Sequence, residues 1–172
     1  MDTFVEQIVA KKKSGKEIAA IVLVLIGLAL IVALTVVFSG LLLVIAPILL
    51  FGAGYGAWWL ITAQNIEFEY CITNGDIDID QIVARRKRKR IVSVSSKKIE
   101  AVGRYSPAVF AGRQVDRLVM AVSSPAADGL YYFTYHSKKR GRTVVVFEPN
   151  ERVKTAFREG LPRLIQMDWD KA

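Results

Sequence analysis

The stretch IAAIVLVLIGLALIVALTVVFSGLLLVIAPILLFGAGYGAWWLITAQNI, residues 18–66, is forty-nine residues long and contains no Asp, Glu, Lys, Arg or His. A soluble domain of this size has no interior large enough to bury such a run, so the stretch belongs in a bilayer. As one helix it would measure roughly 74 Å, more than twice the roughly 30 Å hydrocarbon core, so it must cross twice. The small pair Ser39 and Gly40 divides it into residues 18–38 and residues 41–63, each sufficient for one span. A helical hairpin with almost nothing on the far side follows.

The charges lie entirely outside this hairpin. Residues 1–17 carry a net +1 and residues 67–172 a net +7, twenty basic against thirteen acidic side chains. Such a soluble part suits an anionic partner or surface. Lys11, Lys12, Lys13 and Lys16 precede the first span as the n-region of a secretory signal would, but its length and the second span that follows argue against cleavage. Those lysines and the run from Arg85 to Arg90 flank the hairpin at both ends, and the positive-inside rule then places both termini in the cytoplasm of a cell whose inner (plasma) membrane holds the protein. The lone Cys71 excludes an intrachain disulfide.

Before the hairpin, Thr3 and Glu6 have capping-box spacing, and Phe4, Val5, Ile8 and Val9 fall on one helical face. Residues 1–17 therefore read as an amphipathic cytoplasmic segment, either an interfacial helix or an extension of the first span. Inside the spans polar groups are few, and nothing resembles an ion path or an intramembrane catalytic pair. Gly52 and Gly56 have small-xxx-small spacing, which suits packing of the hairpin against itself or, alternatively, dimerisation. Tyr55, Trp58 and Trp59 stand near the end of the second span as interface anchors.

From Ile66 the period becomes two. Ile66, Phe68, Tyr70 and Ile72 alternate with Glu67, Glu69 and Cys71, Asn74 and Gly75 give a hairpin turn, and Ile77 and Ile79 alternate with Asp76, Asp78 and Asp80. A basic turn at residues 85–90 leads into a strand at 90–95, followed by strands at 99–105, 116–123, 129–137 and 142–148, with a loop at 106–115. Pro149 and Asn150 then open an amphipathic helix bearing Val153, Ala156, Phe157, Gly160, Leu161 and Leu164, with Pro162 as a break or kink in its last turn. The fold class is thus a two-helix transmembrane hairpin followed, over residues 66–172, by a mainly-β domain of about seven strands and a C-terminal helix, the element order of a pleckstrin-homology-like (PH-like) barrel.

The segment YCITNGDIDI (residues 70–79), the basic hairpin and KIEAV (residues 98–102) together resemble the opening of bacterial PH-like domains that follow paired membrane spans. The resemblance covers about residues 66–165. The N-terminal MDTFVEQIV is similar to small two-span bacterial membrane proteins of unknown function. The resemblance implies an architecture and carries over no activity and no binding residues. Phosphoinositide-binding PH domains of eukaryotes commonly use a basic first hairpin, whereas this one turns among acidic residues, so the resemblance implies no inositol-phosphate site.

Catalysis has little to draw on, and neither a catalytic residue nor a cofactor is assigned. His136, the only histidine, sits among alternating aromatics, and nothing flanks Cys71 at metal-ligand spacing. Asp76, Asp78 and Asp80 share one strand face, with Glu69 opposite Asp80. Such a like-charge group calls for a neighbouring cation: Lys97, Lys98, an arginine of the adjacent strand, or a divalent metal. Arg85, Arg86, Lys87, Arg88, Lys89 and Arg90, with a second group of Lys138, Lys139, Arg140 and Arg142, are the candidate contacts to an anionic surface. The first run equally serves as a topology signal. Tyr131, Phe133 and Tyr135 raise a nucleic-acid stacking face as a third use, although aromatics at period two are more often core. The expected function is a non-enzymatic, membrane-anchored cytoplasmic module for anionic lipid or a protein partner. The alternative is an accessory subunit packed through its hairpin against a larger membrane complex.

Overall fold

The computed structural model describes residues 4–38, 40, 44–110 and 114–171. By internal contacts the chain forms two units, residues 12–66 and residues 1–11 together with 67–172.

The first unit holds α1 (Gly15–Val37) and α2 (Ala46–Ala63), each long and apolar enough to cross a membrane. At 1.5 Å per residue they extend roughly 35 and 27 Å. A capping box opens α1: the Ser14 N–H donates to Glu17 Oε2 at 2.7 Å, and Ser14 Oγ accepts from the Glu17 N–H at 3.4 Å. Pro47 stands in the first turn of α2, where its missing N–H costs no helical bond. Ser39, and with it half of the expected dividing pair, lies outside the described residues, as does the expected start of the second span at 41. The two helices contact each other, and the buried residue of each is Thr35 in α1 and Ala57 in α2. The glycines do not supply the close packing expected of them, since a Cβ added at Gly52 or Gly56 would meet nothing within 4 Å.

The second unit carries eight strands among the described residues, where about seven were expected, in two four-stranded sheets that do not close into a barrel. The additional strand is β1 (Phe4–Ala10). It pairs antiparallel with β2 (Ile66–Thr73) along its whole length, from Phe4 opposite Thr73 to Ala10 opposite Glu67. The expected helix in this segment is therefore replaced by a strand, and Thr3, the cap proposed for it, lies outside the described residues. Backbone pairing with β2 satisfies every second polar group of a seven-residue segment too short to be a stable helix alone. Gln7 locks the strand in place: its Nε2 donates to the Glu148 carbonyl at 2.9 Å and its Oε1 accepts from the Asn150 N–H at 2.8 Å.

The first sheet continues through β3 (Asp76–Val83) and β4 (Lys87–Ser95). The β2–β3 turn has φ of 50° at Asn74 and 87° at Gly75, the left-handed geometry that this residue pair favours. Its tip lies on the C-terminal end of α3 (Glu151–Gly160), where a Cβ on Gly160 would stand 2.6 Å from Gly75 Cα, so only glycine fits there. The second sheet has the order β5 (Ile99–Arg104), β7 (Tyr131–Ser137), β8 (Gly141–Phe147) and β6 (Arg117–Ala121), with β6 parallel to β8. The expected single terminal helix is two: α3 ends before Leu161 and Pro162, and α4 (Arg163–Asp170) follows, because proline cannot continue the i to i−4 ladder.

The sheets and helices share an aromatic core. Phe147 lies 5.5 Å from Phe133 and 5.4 Å from Phe157 between ring centroids, and Trp169 of α4 reaches back to within 5.2 Å of Phe157. Tyr70 ties the first sheet to the second: its buried O–H donates to the Ala121 carbonyl while its oxygen accepts from the Glu148 N–H at 3.2 Å. Burial pushes its phenol well above the usual tyrosine range. Val122, Leu130, Val144 and Val146 form a further core cluster, against which Phe110 and Tyr132 pack.

Candidate anionic-surface site

The β3–β4 hairpin turns at Ala84 and Arg85, with φ of 54° and 55°. Lys87, Arg88 and Lys89, expected in the turn before a strand at 90–95, lie with Arg90 within β4. Ile79 faces Val92 but the next residue, Asp80, faces Arg90, so Ile91 is the extra residue of a β-bulge. The bulge reverses the parity of β4. By simple alternation Arg88 and Arg90 would share a face with the buried Val92 and Val94, and instead they stand on the side of Asp78 and Asp80.

That placement consumes half of the basic run. Arg90 Nη1 lies 2.9 Å from Asp78 and its Nε donates to Asp80 at 2.9 Å. Arg88 Nη2 meets Glu69 at 2.5 Å and its Nη1 stands 3.8 Å from Asp80. Arg85 Nε donates to Glu67 at 3.1 Å. Glu69 and Asp80, each 6% exposed, are the acids that most need this, since a buried unpaired carboxylate costs several kcal/mol. Of the cations weighed for the acidic strand face, the adjacent-strand arginines are those in place. Desolvation, reinforced by a hydrogen bond with Glu6, holds the Glu69 carboxyl above its ordinary range, and Arg88 opposes that shift.

Lys87 and Lys89 occupy the alternate positions of β4, are exposed, and form no ion pair among the described residues. Arg86 is also exposed. A cavity of about 530 Å³ lies at this end of the sheet, lined by the apolar Ile8, Ala10 and Ile82, by Glu67 and by hairpin residues 85–88. The second basic group is set apart from it. Lys138, Lys139, Arg140 and Arg142 are exposed at the β7–β8 turn, where the Arg142 N–H donates to Asp116 at 2.7 Å. Lys138 and His136 line a separate cavity of about 460 Å³ with Ser93 and Ser95, at the far end of β4. Eight steps of about 3.3 Å separate Lys87 from Ser95, roughly 26 Å.

His136 is exposed, and Cys71 Sγ lies 3.7 Å from Thr73 Oγ1. Tyr131, Phe133 and Tyr135 are buried in the core, which removes the stacking face imagined for nucleic acid. Tyr55, Trp58 and Trp59 lie exposed on the last turns of α2, with Tyr55 and Trp58 ring centroids 5.7 Å apart. Sequence reasoning weighed an adjacent-strand arginine for the acidic group that includes Glu69 but missed Glu67 as an arginine partner. The alternation of both acids with Phe68 and Tyr70 was visible, but the bulge that brings Arg88 over Glu69 was not.

Compared with known proteins, the chain matches over residues 1–167 the family model described as Bacterial PH-like domain (DUF6106). No curated protein and no solved structure matches it.

Proposed function

The chain belongs to this family of bacterial PH-like domains, and from that premise we propose a non-catalytic binding module held at the cytoplasmic face of the inner membrane, with its basic hairpin turned toward anionic lipid. One observation carries the reading. β1 and β2 lie side by side with Ala10 opposite Glu67, and each strand is separated from an apolar helix by only a few residues, 11–14 on one side and 64–65 on the other. At about 3.5 Å per residue neither connection exceeds roughly 18 Å, which supports a sheet end tethered close to the apolar helices and so to the bilayer surface. Arg85 pairs with Glu67 at that same end, which brings the hairpin within reach of headgroup phosphates.

Two spans put both termini on one side, and the flanking lysines and arginines favour the cytoplasm. Cysteine introduced at Ser39 into a Cys71→Ser background is expected to react with an impermeant maleimide in intact cells, and one introduced at Lys171 is not. Tail labelling in intact cells would overturn this orientation.

Gly52 and Gly56 favour a second reading. Both are open to a close helical neighbour that their own hairpin does not supply. An accessory subunit would keep a stoichiometric membrane partner through mild detergent and lose it on Gly52→Leu, whereas a free-standing module would purify alone.

A further inference from the structure

We infer that the cavity at the Ala10 and Glu67 end of the first sheet is a headgroup site for an anionic phospholipid, which resting on the proposed surface function narrows it from a charged face to one pocket. The cavity, about 530 Å³, is of ligand size. Its composition divides as a lipid headgroup region does. Ile8 is 55% exposed although apolar, and with Ala10 and Ile82 it provides a wall that water does not favour. The hairpin provides the cations: among the described residues Lys87 forms no ion pair, and Arg85 pairs with Glu67 through Nε, which leaves its terminal nitrogens for a phosphate. The ion pair with the buried Glu69 holds Arg88 in place, so a phosphate entering beside it meets a guanidinium group already ordered.

A free phosphate would find the same cations, but it has no use for the Ile8, Ala10 and Ile82 wall, and the wall lies where the chain enters its apolar helices within four residues. Lipid is therefore the occupant. The second basic group, at the other end of β4, faces a cavity that is mostly polar and carries two acids of its own, Asp76 and Asp78, with Val94 and Tyr135 beside Ser93, Ser95 and Ser137.

The test uses the full chain in a neutral detergent, titrated with short-chain phosphatidylglycerol or phosphatidylcholine, with retained lipid counted by native mass spectrometry. Phosphatidylglycerol is expected to be retained in preference to phosphatidylcholine. Lys87→Gln should reduce that preference about fivefold, the equivalent of about 1 kcal/mol for one near-surface charge. Ala10→Trp, which fills the cavity and alters no charge, should abolish it; Ala10→Leu serves if circular dichroism shows the tryptophan variant unfolded. Lys138→Gln with Lys139→Gln should leave it unchanged, and inorganic phosphate should not displace the lipid. A wild-type preference that survives the folded cavity-filling variant overturns the pocket and leaves the surface reading standing. Displacement by an equal concentration of inorganic phosphate overturns lipid as the occupant. Absence of any preference in the wild-type chain overturns both.

Discussion

Replacing Arg88 and Arg90 together by glutamine should destabilise the second unit by about 2–4 kcal/mol. The change strips from Glu69 and Asp80, two carboxylates that are almost fully buried, the cations paired with them among the described residues. Breaking a buried pair from one side leaves an uncompensated charge, at roughly 3–5 kcal/mol, and the half-exposed arginines here reduce that figure through solvent screening. Glutamine can donate one hydrogen bond but cannot bridge two acids as Arg88 bridges Glu69 and Asp80. Lys87→Gln with Lys89→Gln should leave stability within about 0.5 kcal/mol of the wild type, because neither lysine has an ion-pair partner among the described residues. Thermal unfolding of the full chain in detergent, followed by the sheet signal in circular dichroism, separates the two variants. If the arginine variant melts with the wild type, the ion pairs are surface contacts of no consequence. The six successive cations are then one undivided patch.

Phe157→Ala should cost about 3–5 kcal/mol, the range for removing a buried phenylalanine and leaving a cavity. Phe157 is 1% exposed and sits at the centre of the aromatic cluster, with ring centroids 5.6 Å from Phe133, 5.4 Å from Phe147 and 5.2 Å from Trp169. Its loss removes contacts on three elements at once, β7, β8 and α4. The α3 surface then keeps only Val153 and Ala156 in the core, too little to hold a ten-residue helix against its ordering entropy. Amide hydrogen exchange should therefore report α3 and α4 opening together while the β2–β3 hairpin stays protected for longer. Exchange confined to α4 would show instead that Trp169 and the Arg158–Asp170 pair, not Phe157, fasten the terminal helices.

Several of these features were plain in the sequence. An uncharged run of forty-nine residues announces two apolar helices long enough to cross a membrane, and the Asn74-Gly75 turn, the alternation around Tyr70 and the stripe from Val153 to Phe157 all report local geometry. Strand β1 was not legible for a physical reason. Its inward positions are Val5, Gln7 and Val9, so a polar amide interrupts the buried face, while Phe4 and Ile8 stand exposed, and the apolar residues then fit a helical face better than a pleat. Gln7 is explained only by Glu148 and Asn150, more than 140 residues away. Excising residues 66–172 would consequently remove an edge strand from the first sheet, and the full chain is the unit to assay.

The basic run shows the same limit. Composition marks it as cationic, but the division between arginines that neutralise Glu67, Glu69, Asp78 and Asp80 and lysines left to the solvent arises from one bulge at Ile91. A bulge depends on how β4 registers against β3 and leaves no mark in the residue types of either strand. The capping box Ser14 to Glu17 was present in the letters, but Thr3 to Glu6 has the same spacing, and only the fold distinguishes a helix start from a strand.

The orientation of the sheet on the bilayer is most directly tested by nitroxide labels on single cysteines in a Cys71→Ser chain, reconstituted into nanodiscs containing phosphatidylglycerol and a nickel-chelating headgroup lipid. One label replaces Lys87, at the hairpin end, and the other Thr73, at the opposite end of β2 and exposed. Seven steps from Ile66 to Thr73 span roughly 23 Å, well beyond the reach of strong relaxation by a headgroup-bound ion if the hairpin faces the lipid. Strong nickel relaxation at Lys87 and weak relaxation at Thr73 is the expected result. Equal relaxation at the two sites, or the reverse order, would contradict a basic hairpin held against the anionic surface.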